Sequence, residues 1–88
     1  MAEQFSGHGI HPRTLADVAD GTPVRVRDAE GEMLDRIART GVEMATNFPV
    51  VWVARPDEWE LARREGRPPD SVPWPAEDVW LRGDEPGA

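Results

Sequence analysis

Four tryptophans lie in the C-terminal half of this 88-residue chain, and they constrain its fold more than any other feature. They are Trp52, Trp59, Trp74 and Trp80. The chain has no cysteine, so neither a disulfide nor a thiolate-bound metal can stabilise it. A domain of this size buries only about 60% of the surface that its unfolded chain exposes, whereas each buried aromatic side chain removes roughly 150–250 Å² from water. We therefore expect at least two tryptophans to be structural and the others to form a second small core or a binding surface.

The charge balance narrows the classes of partner. Seventeen acidic residues against ten arginines, with no lysine, give a formal net charge of −7. Such a chain repels phosphate backbones and anionic lipid surfaces, so we expect no membrane attachment and regard nucleic-acid binding as disfavoured. Because the sequence shows neither a leader pattern nor an apolar run of membrane-spanning length, we expect a cytoplasmic protein.

Composition divides the chain into one folded segment and two tails. Residues 1–13 are rich in Gly and His and show no periodicity, which is typical of a flexible N-terminal arm. Residues 83–88 are polar and contain Gly and Pro, as expected of a flexible C-terminal tail. A single globular domain is therefore predicted over residues 14–82.

Alternation of apolar and polar residues predicts that most of this domain is β-strand. Residues 24–27 alternate cleanly behind a proline, which the first position of a strand tolerates. Residues 42–44 alternate again, and residues 50–53 form the continuous apolar run of a buried strand. Residues 79–81 read as a closing strand.

Residues 33–40 fit two different structures. As a strand, they would form a hairpin with the preceding strand through a Gly-containing turn, and a bulge would be needed to correct their imperfect alternation. As a helix, they would carry an apolar stripe of Met33, Leu34 and Ile37, ended by Gly41. We favour the strand because a hairpin is the shorter connection.

A helix is predicted near residues 57–65. Asp57 with Glu60 three residues later has the pattern of a capping box, and Gly66 would end the helix. The four prolines of residues 68–75 then favour an extended, polyproline-like strap rather than a flexible linker.

The order of these elements, over residues 22–82, resembles that of small SH3-like β-barrels. The predicted fold class is mostly β (α+β): a small barrel of about five strands, with the helix near residues 57–65 before the closing strand. The resemblance implies a scaffold on which binding modules are common. If residues 30–40 are helical, the alternative is a compact α/β layer fold.

No residue pattern predicts catalysis, a cofactor or a metal site. His8 and His11 are three apart, but a third ligand is missing. No serine lies in a nucleophile elbow, and no glycine-rich phosphate loop is present. Carboxylate pairs such as Asp57 and Glu58 are better explained as helix-start charges. We therefore expect the protein not to be an enzyme.

Aromatic side chains are the first candidates for binding a partner. Trp52 and Trp80 alternate with aliphatic residues, so both should point away from the core if those neighbours face inward. Trp74, between two prolines, can either plug the core or meet a partner. Trp59 lies on the predicted helix and is most simply a core residue.

A basic face is the second candidate. Arg25 and Arg27 should project together from the outer face of their strand, and a facing strand could add Arg39 or Arg36. Such a patch could bind an acidic peptide or a phosphate. Ion pairs with the acidic residues of the same hairpin are the alternative. The predicted partner-binding residues are Trp80, Trp74, Trp52, Arg25 and Arg27.

These features favour a non-enzymatic protein-interaction or small regulatory accessory module that uses an aromatic surface. Its partner would be another protein or a second copy of the chain, which would give a homodimer. The alternative is a nucleic-acid-related protein, either an Arg-faced barrel or an acidic mimic of nucleic acid.

Overall fold

The computed structural model describes residues 15–86, and they form one antiparallel sheet with a single long helix. The elements are β1 (Pro23–Arg27), β2 (Met33–Ala45), β3 (Phe48–Ala54), α1 (Pro56–Glu65), β4 (Val72–Pro75), a 3₁₀ turn (Ala76–Asp78) and β5 (Val79–Leu81). The strand order is β4-β3-β2-β1-β5. This confirms the predicted mostly β, α+β class. The sheet is open, because no backbone ladder joins its edge strands β4 and β5 within the described residues.

Parts of the sequence-based expectations lie outside this range. The predicted N-terminal arm, with His8 and His11, is outside the described residues, as are residues 87–88 of the predicted tail. No helix in the described part of the chain has the length and apolar character needed to cross a membrane.

β2 is one long strand with an irregularity in its middle. Residues 33–37 pair with β1, whereas Ile37, Ala38 and residues 42–45 pair with β3. The register with β3 shifts between Ala38 and Val42, which is the bulge that a strand here requires. The strand prediction for residues 33–40 is therefore confirmed, and the alternative helix is wrong. Residues 42–44, predicted as a separate strand, are part of β2 because the chain bends without leaving the sheet.

A close backbone approach explains the glycine in this bulge. A Cβ atom added to Gly41 would lie 2.9 Å from the carbonyl oxygen of Val18, closer than real Cβ atoms come to backbone atoms. Gly41 therefore lets the segment before β1 pack directly against β2.

The core is mainly aliphatic. Its buried members are Leu15, Val18, Val24, Val26, Ala38, Val51, Val53, Ala76 and Val79. Trp74, Leu34 and Leu81 pack against this cluster and are partly buried. This cluster is thus rich in valine, and Trp74 packs at its edge.

α1 begins one residue before the predicted start and lacks the predicted cap. Pro56 is its first residue, a position where the missing N–H would have had no partner in any case. Arg55 occupies the cap position and no side chain caps the helix, so the capping box predicted for Asp57 does not form. The predicted end is confirmed, because Gly66 adopts a left-handed φ of 71°. The N–H groups of Gly66 and the next residue bond back to helix carbonyls, as in a Schellman motif.

β4 corrects the prediction of a polyproline strap over residues 68–75. It pairs with β3 along its whole length. The main-chain groups of alternate residues in a strand point to opposite sides, so Val72 and Trp74 can bond to β3 while Pro73 and Pro75 face outward. β4 is an edge strand, where prolines are tolerated and block pairing with a further strand.

Residues 83–86, predicted as part of the C-terminal tail, contact the sheet. The Glu85 carboxylate accepts hydrogen bonds from Arg25 Nη1 at 3.3 Å and from the Gly83 N–H at 2.7 Å. Hydrogen bonds from its own backbone N–H and from that of Gly83 lower the pKa of Glu85. The flexibility of this tail stays a prediction.

Candidate functional site

A cleft of about 770 Å³ lies where α1, the second half of β2, the middle of β3 and the start of the proline segment meet. It is open to solvent and has aromatic and charged walls. Its lining residues are Asp20, Arg39, Thr40, Glu43, Trp52, Trp59, Arg63, Arg67, Pro68 and Pro69.

Trp52 reaches this cleft because of strand geometry. Its neighbours Val51 and Val53 are buried in the core cluster, so Trp52 projects from the opposite face of β3. This is the direction that the sequence predicts. The side chain is half-buried, which leaves part of the indole in contact with solvent.

Trp59 lines the same cleft from α1. It is half-buried, and a Cβ atom added to Gly21 would meet its ring carbon Cζ2 at 3.7 Å. The sequence predicts Trp59 to be a core residue, whereas the structure places it in the cleft wall. The i, i+4 spacing of Trp59 and Arg63 indicates a shared helix face, but it does not reveal that Trp52 lies opposite them.

Arg67 forms a fixed wall of the cleft. Its Nη1 lies 2.7 Å from Glu58 Oε2, its Nη2 lies 3.3 Å from Glu58 Oε1, and its Nε lies 2.6 Å from Glu65 Oε1. The backbone N–H of Asp70 also donates to Glu58, at 2.8 Å. These hydrogen bonds, first that from Arg67 and then that from Asp70, lower the pKa of Glu58 to about 2. The start of the proline segment is thereby attached to the first turn of α1.

Arg39 and Arg63 differ from Arg67 in their ion pairing. Both side chains are exposed, and within residues 15–86 neither lies within 4.0 Å of a carboxylate oxygen. Arg39 Nη1 makes one long hydrogen bond, 3.4 Å, to the Ser71 hydroxyl. The cleft therefore combines available guanidinium groups with two indole surfaces. Such a set can bind carboxylates and stack on flat or apolar groups.

Two of the tryptophans predicted to bind a partner lie elsewhere. Trp80 is only 6% exposed, and the Arg27 guanidinium carbon lies 5.1 Å from its ring centroid. Trp74 packs against the core, and its indole Nε1 donates to the Arg27 carbonyl at 2.9 Å. Trp80 thus offers little contact surface in this structure. Of the three predicted tryptophans, Trp52 lines the cleft.

The predicted basic face is occupied by intramolecular ion pairs. Arg25 Nε lies 3.1 Å from Asp35 Oδ1 across the hairpin, although the N–H does not point at that oxygen and so makes no hydrogen bond. Arg27 Nε and Nη2 donate to Asp78 Oδ1 at 3.1 and 2.8 Å. Arg25 therefore pairs within its own hairpin, as the ion-pair alternative predicts, whereas Arg27 pairs outside that hairpin, with Asp78 of the 3₁₀ turn. Binding of a partner by Arg25 and Arg27 stays a prediction.

Residues 15–86 contain no group of three or more His, Asp or Glu side chains placed to hold a metal ion. A second cleft of about 380 Å³ lies beside β4 and includes Arg36, Val72 and Trp74. It contains only one of the half-buried indoles, and Trp74 is already bonded to β1.

Comparisons with protein-family models, with curated proteins and with solved structures gave no significant match. Function is therefore inferred from the cleft. Its members Trp59 and Arg63 are not among the residues that the sequence predicts to bind a partner, and the sequence places Arg39 beside Arg25 and Arg27 rather than beside the tryptophans. The reason is that the pairing of β2 with β3 and the packing of α1 bring them together, and neither can be read from local sequence.

Proposed function

We propose that the protein is a non-enzymatic protein-interaction module whose cleft binds a short extended segment of another protein. The observation that supports this proposal most directly is that Trp52 and Trp59, both half-buried, line one cleft. Indole rings provide a large, rigid contact area at a low cost in side-chain entropy, which is why tryptophan is enriched at the centre of protein interfaces. Pro68 and Pro69 add a second stiff apolar edge.

We also propose an SH3-like barrel as the scaffold of this module. Four successive strands form a meander and β5 returns to pair with β1, an order that supports a small SH3-like barrel. The hydrogen bond from Trp74 on β4 to the Arg27 carbonyl on β1 links two strands that are not neighbours in the sheet. Such a link requires strong curvature. We propose a small regulatory accessory role in the cytoplasm for this module.

The ordered proline segment makes the cleft suited to binding without rearrangement. Arg67 and Glu58 hold that segment to α1 through three hydrogen-bonding contacts. A site that is already formed loses less conformational entropy when its ligand binds. An extended peptide would therefore meet fixed walls on the helix side and the proline side.

The test uses the four indole N–H signals in ¹H–¹⁵N spectra, each assigned by a single Trp→Phe variant. A library of displayed random peptides is selected for binding to the intact protein. A peptide that this selection enriches is then titrated into ¹⁵N-labelled protein. We expect the Trp52 and Trp59 signals to shift in a saturable way. The Trp74 and Trp80 signals should stay in place, because one indole is bonded to β1 and the other is buried.

Two results would contradict the proposal. One is that no peptide is enriched over selection on an unrelated protein of similar charge. The other is that an enriched peptide moves the Trp74 or Trp80 signal and leaves those of Trp52 and Trp59 unchanged. Sedimentation at several protein concentrations, with and without the peptide, would show whether a second copy competes for the cleft.

A further inference from the structure

The arginines of the described residues divide into two groups. Five of them lie within 4.0 Å of a carboxylate oxygen: Arg25, Arg27, Arg55, Arg67 and Arg82. Four have no such partner within residues 15–86: Arg36, Arg39, Arg63 and Arg64. In a chain with 17 acidic residues against 10 basic ones, the unpaired state of these four does not come from a shortage of carboxylates.

Two of the four unpaired arginines lie in the cleft. Arg39 comes from β2 and Arg63 from the last turn of α1, so the site receives a guanidinium group from each of two elements. Trp52 and Trp59 come from β3 and α1 and line the same space. A ligand in this cleft could therefore pair with the two guanidinium groups and pack on the two half-buried indoles.

We infer that the segment bound in the cleft is acidic: an Asp or Glu side chain of the partner is held by Arg39 and Arg63, and a neighbouring apolar side chain packs on Trp52 and Trp59. This inference rests on the proposed function and specifies its ligand. Guanidinium groups bind carboxylates through paired, charge-assisted hydrogen bonds, which are stronger than neutral ones. A peptide carboxylate would supply the partner that residues 15–86 do not provide.

The acidic residues of the cleft indicate a single carboxylate rather than a polyanion. Asp20 and Glu43 line the same space, and Arg67 is already neutralised by Glu58 and Glu65. A nucleic-acid strand would bring successive phosphates against these two carboxylates and against a chain of net charge −7. One or two side-chain carboxylates between Arg39 and Arg63 avoid that repulsion.

The composition of the selected peptides is the first test. We expect sequences enriched on the intact protein to contain more Asp and Glu than the input library, next to an aromatic or aliphatic residue. Replacing the acidic residues of an enriched peptide by Asn and Gln should weaken its binding about tenfold or more, the loss expected for a charge-assisted hydrogen bond. Binding is measured from tryptophan fluorescence and by calorimetry.

Matched variants of the protein provide the second test. Arg39→Gln and Arg63→Gln should each lower the affinity about tenfold. Arg36→Gln on the same strand and Arg64→Gln on the same helix are the controls, since both are unpaired arginines outside the cleft and should leave binding unchanged. The Arg39→Gln and Arg63→Gln variants should bind the Asn and Gln form of the peptide as well as the original protein does, because the carboxylate that pairs with these arginines has been removed.

The outcomes separate the two proposals. Peptides that shift the Trp52 and Trp59 signals but show no acidic enrichment would overturn the acidic-ligand inference and leave the proposed function standing. Equal losses for the cleft variants and their controls would overturn it as well, by showing a general charge effect. A third result would also overturn it: a fluorescent oligothymidine binds the intact protein with a steep salt dependence and binds Arg39→Gln and Arg63→Gln more weakly. The ligand of the cleft would then be a single-stranded nucleic acid rather than a peptide. Absence of any enriched peptide would refute the proposed function itself.

Discussion

Replacing Gly41 by Ala tests the packing of the segment before β1 against β2. The added Cβ would stand 2.9 Å from the Val18 carbonyl oxygen, which is a backbone atom and cannot rotate away. The strain therefore has to be relieved by moving Val18 and Leu15, two members of the core cluster, away from the sheet. Overpacking of this kind costs about 1–3 kcal/mol. A Gly→Ala change also stabilises by about 0.4–1 kcal/mol through the unfolded chain, so the expected net loss in free energy of unfolding is centred at about 1.3 kcal/mol, within a range of about 0–2.6 kcal/mol.

Urea denaturation of both proteins, followed by tryptophan fluorescence, measures this loss. Hydrogen exchange then locates it: the Val18 amide, which donates to the Leu15 carbonyl at 3.1 Å, should exchange faster in Gly41→Ala than in the original protein, with smaller changes in β3. Gly31 is the control, because a Cβ there has open space within 4 Å and only its positive φ of 86° matters. Gly31→Asn should therefore be nearly neutral, since Asn tolerates that conformation. A Gly41→Ala protein that is at least as stable as the original, and whose Val18 amide exchanges no faster, would refute the close approach of Val18 to β2.

Three further predictions concern the rest of the fold. The pKa of Glu58 is lowered from 4.5 to about 2, so its hydrogen bonds stabilise the folded state above pH 4.5 and lose this contribution as the pH falls from about 4.5 towards 2. The Glu58→Gln variant should therefore lack this part of the loss of stability in acid, which is measured by denaturation at a series of pH values. Trp74→Phe leaves the Arg27 carbonyl without its indole donor and should lower the free energy of unfolding by about 1 kcal/mol in thermal or urea unfolding, and an unchanged stability would contradict the assigned bond. Val51→Ala in the core should cost about 2–3 kcal/mol, whereas Val42→Ala, at a site 42% exposed, should cost below about 0.5 kcal/mol; equal costs in urea titrations would show that the core is wrongly placed.

Local chemistry was sufficient to predict most elements of the fold. The alternation of residues in β1 and the glycine that ends α1 act within a few residues of themselves, so both are predictable without knowledge of contacts. The cap of α1 was not predictable in this way, because the helix begins at Pro56, which places Asp57 inside the first turn rather than at the cap position. β4 was missed as a strand because prolines usually exclude strand pairing, and only its place at the edge of the sheet permits it.

The ambiguity of residues 33–40 was settled by contacts distant in sequence. Their apolar pattern suits a helix and a bulged strand almost equally. Residues 33–37 pair with β1, and Ile37 and Ala38 pair with β3. These ladders provide backbone hydrogen bonds that require the extended form. The bulge between Ala38 and Val42 then bends β2, and Gly41 allows the preceding segment to pack beside it.

The sequence by itself determined that a chain without cysteine would combine a small β-rich core with four large indoles, and that Trp52 would face away from that core. Only the tertiary structure decided what each indole does. Trp80 is covered because β5 pairs with β1, which places Arg27 over its ring. Trp59 joins Trp52 in the cleft because α1 follows β3 after a single residue and lies near it. Side-chain exposure depends on which elements pack together, and that information is distributed over the whole chain rather than held in any local pattern.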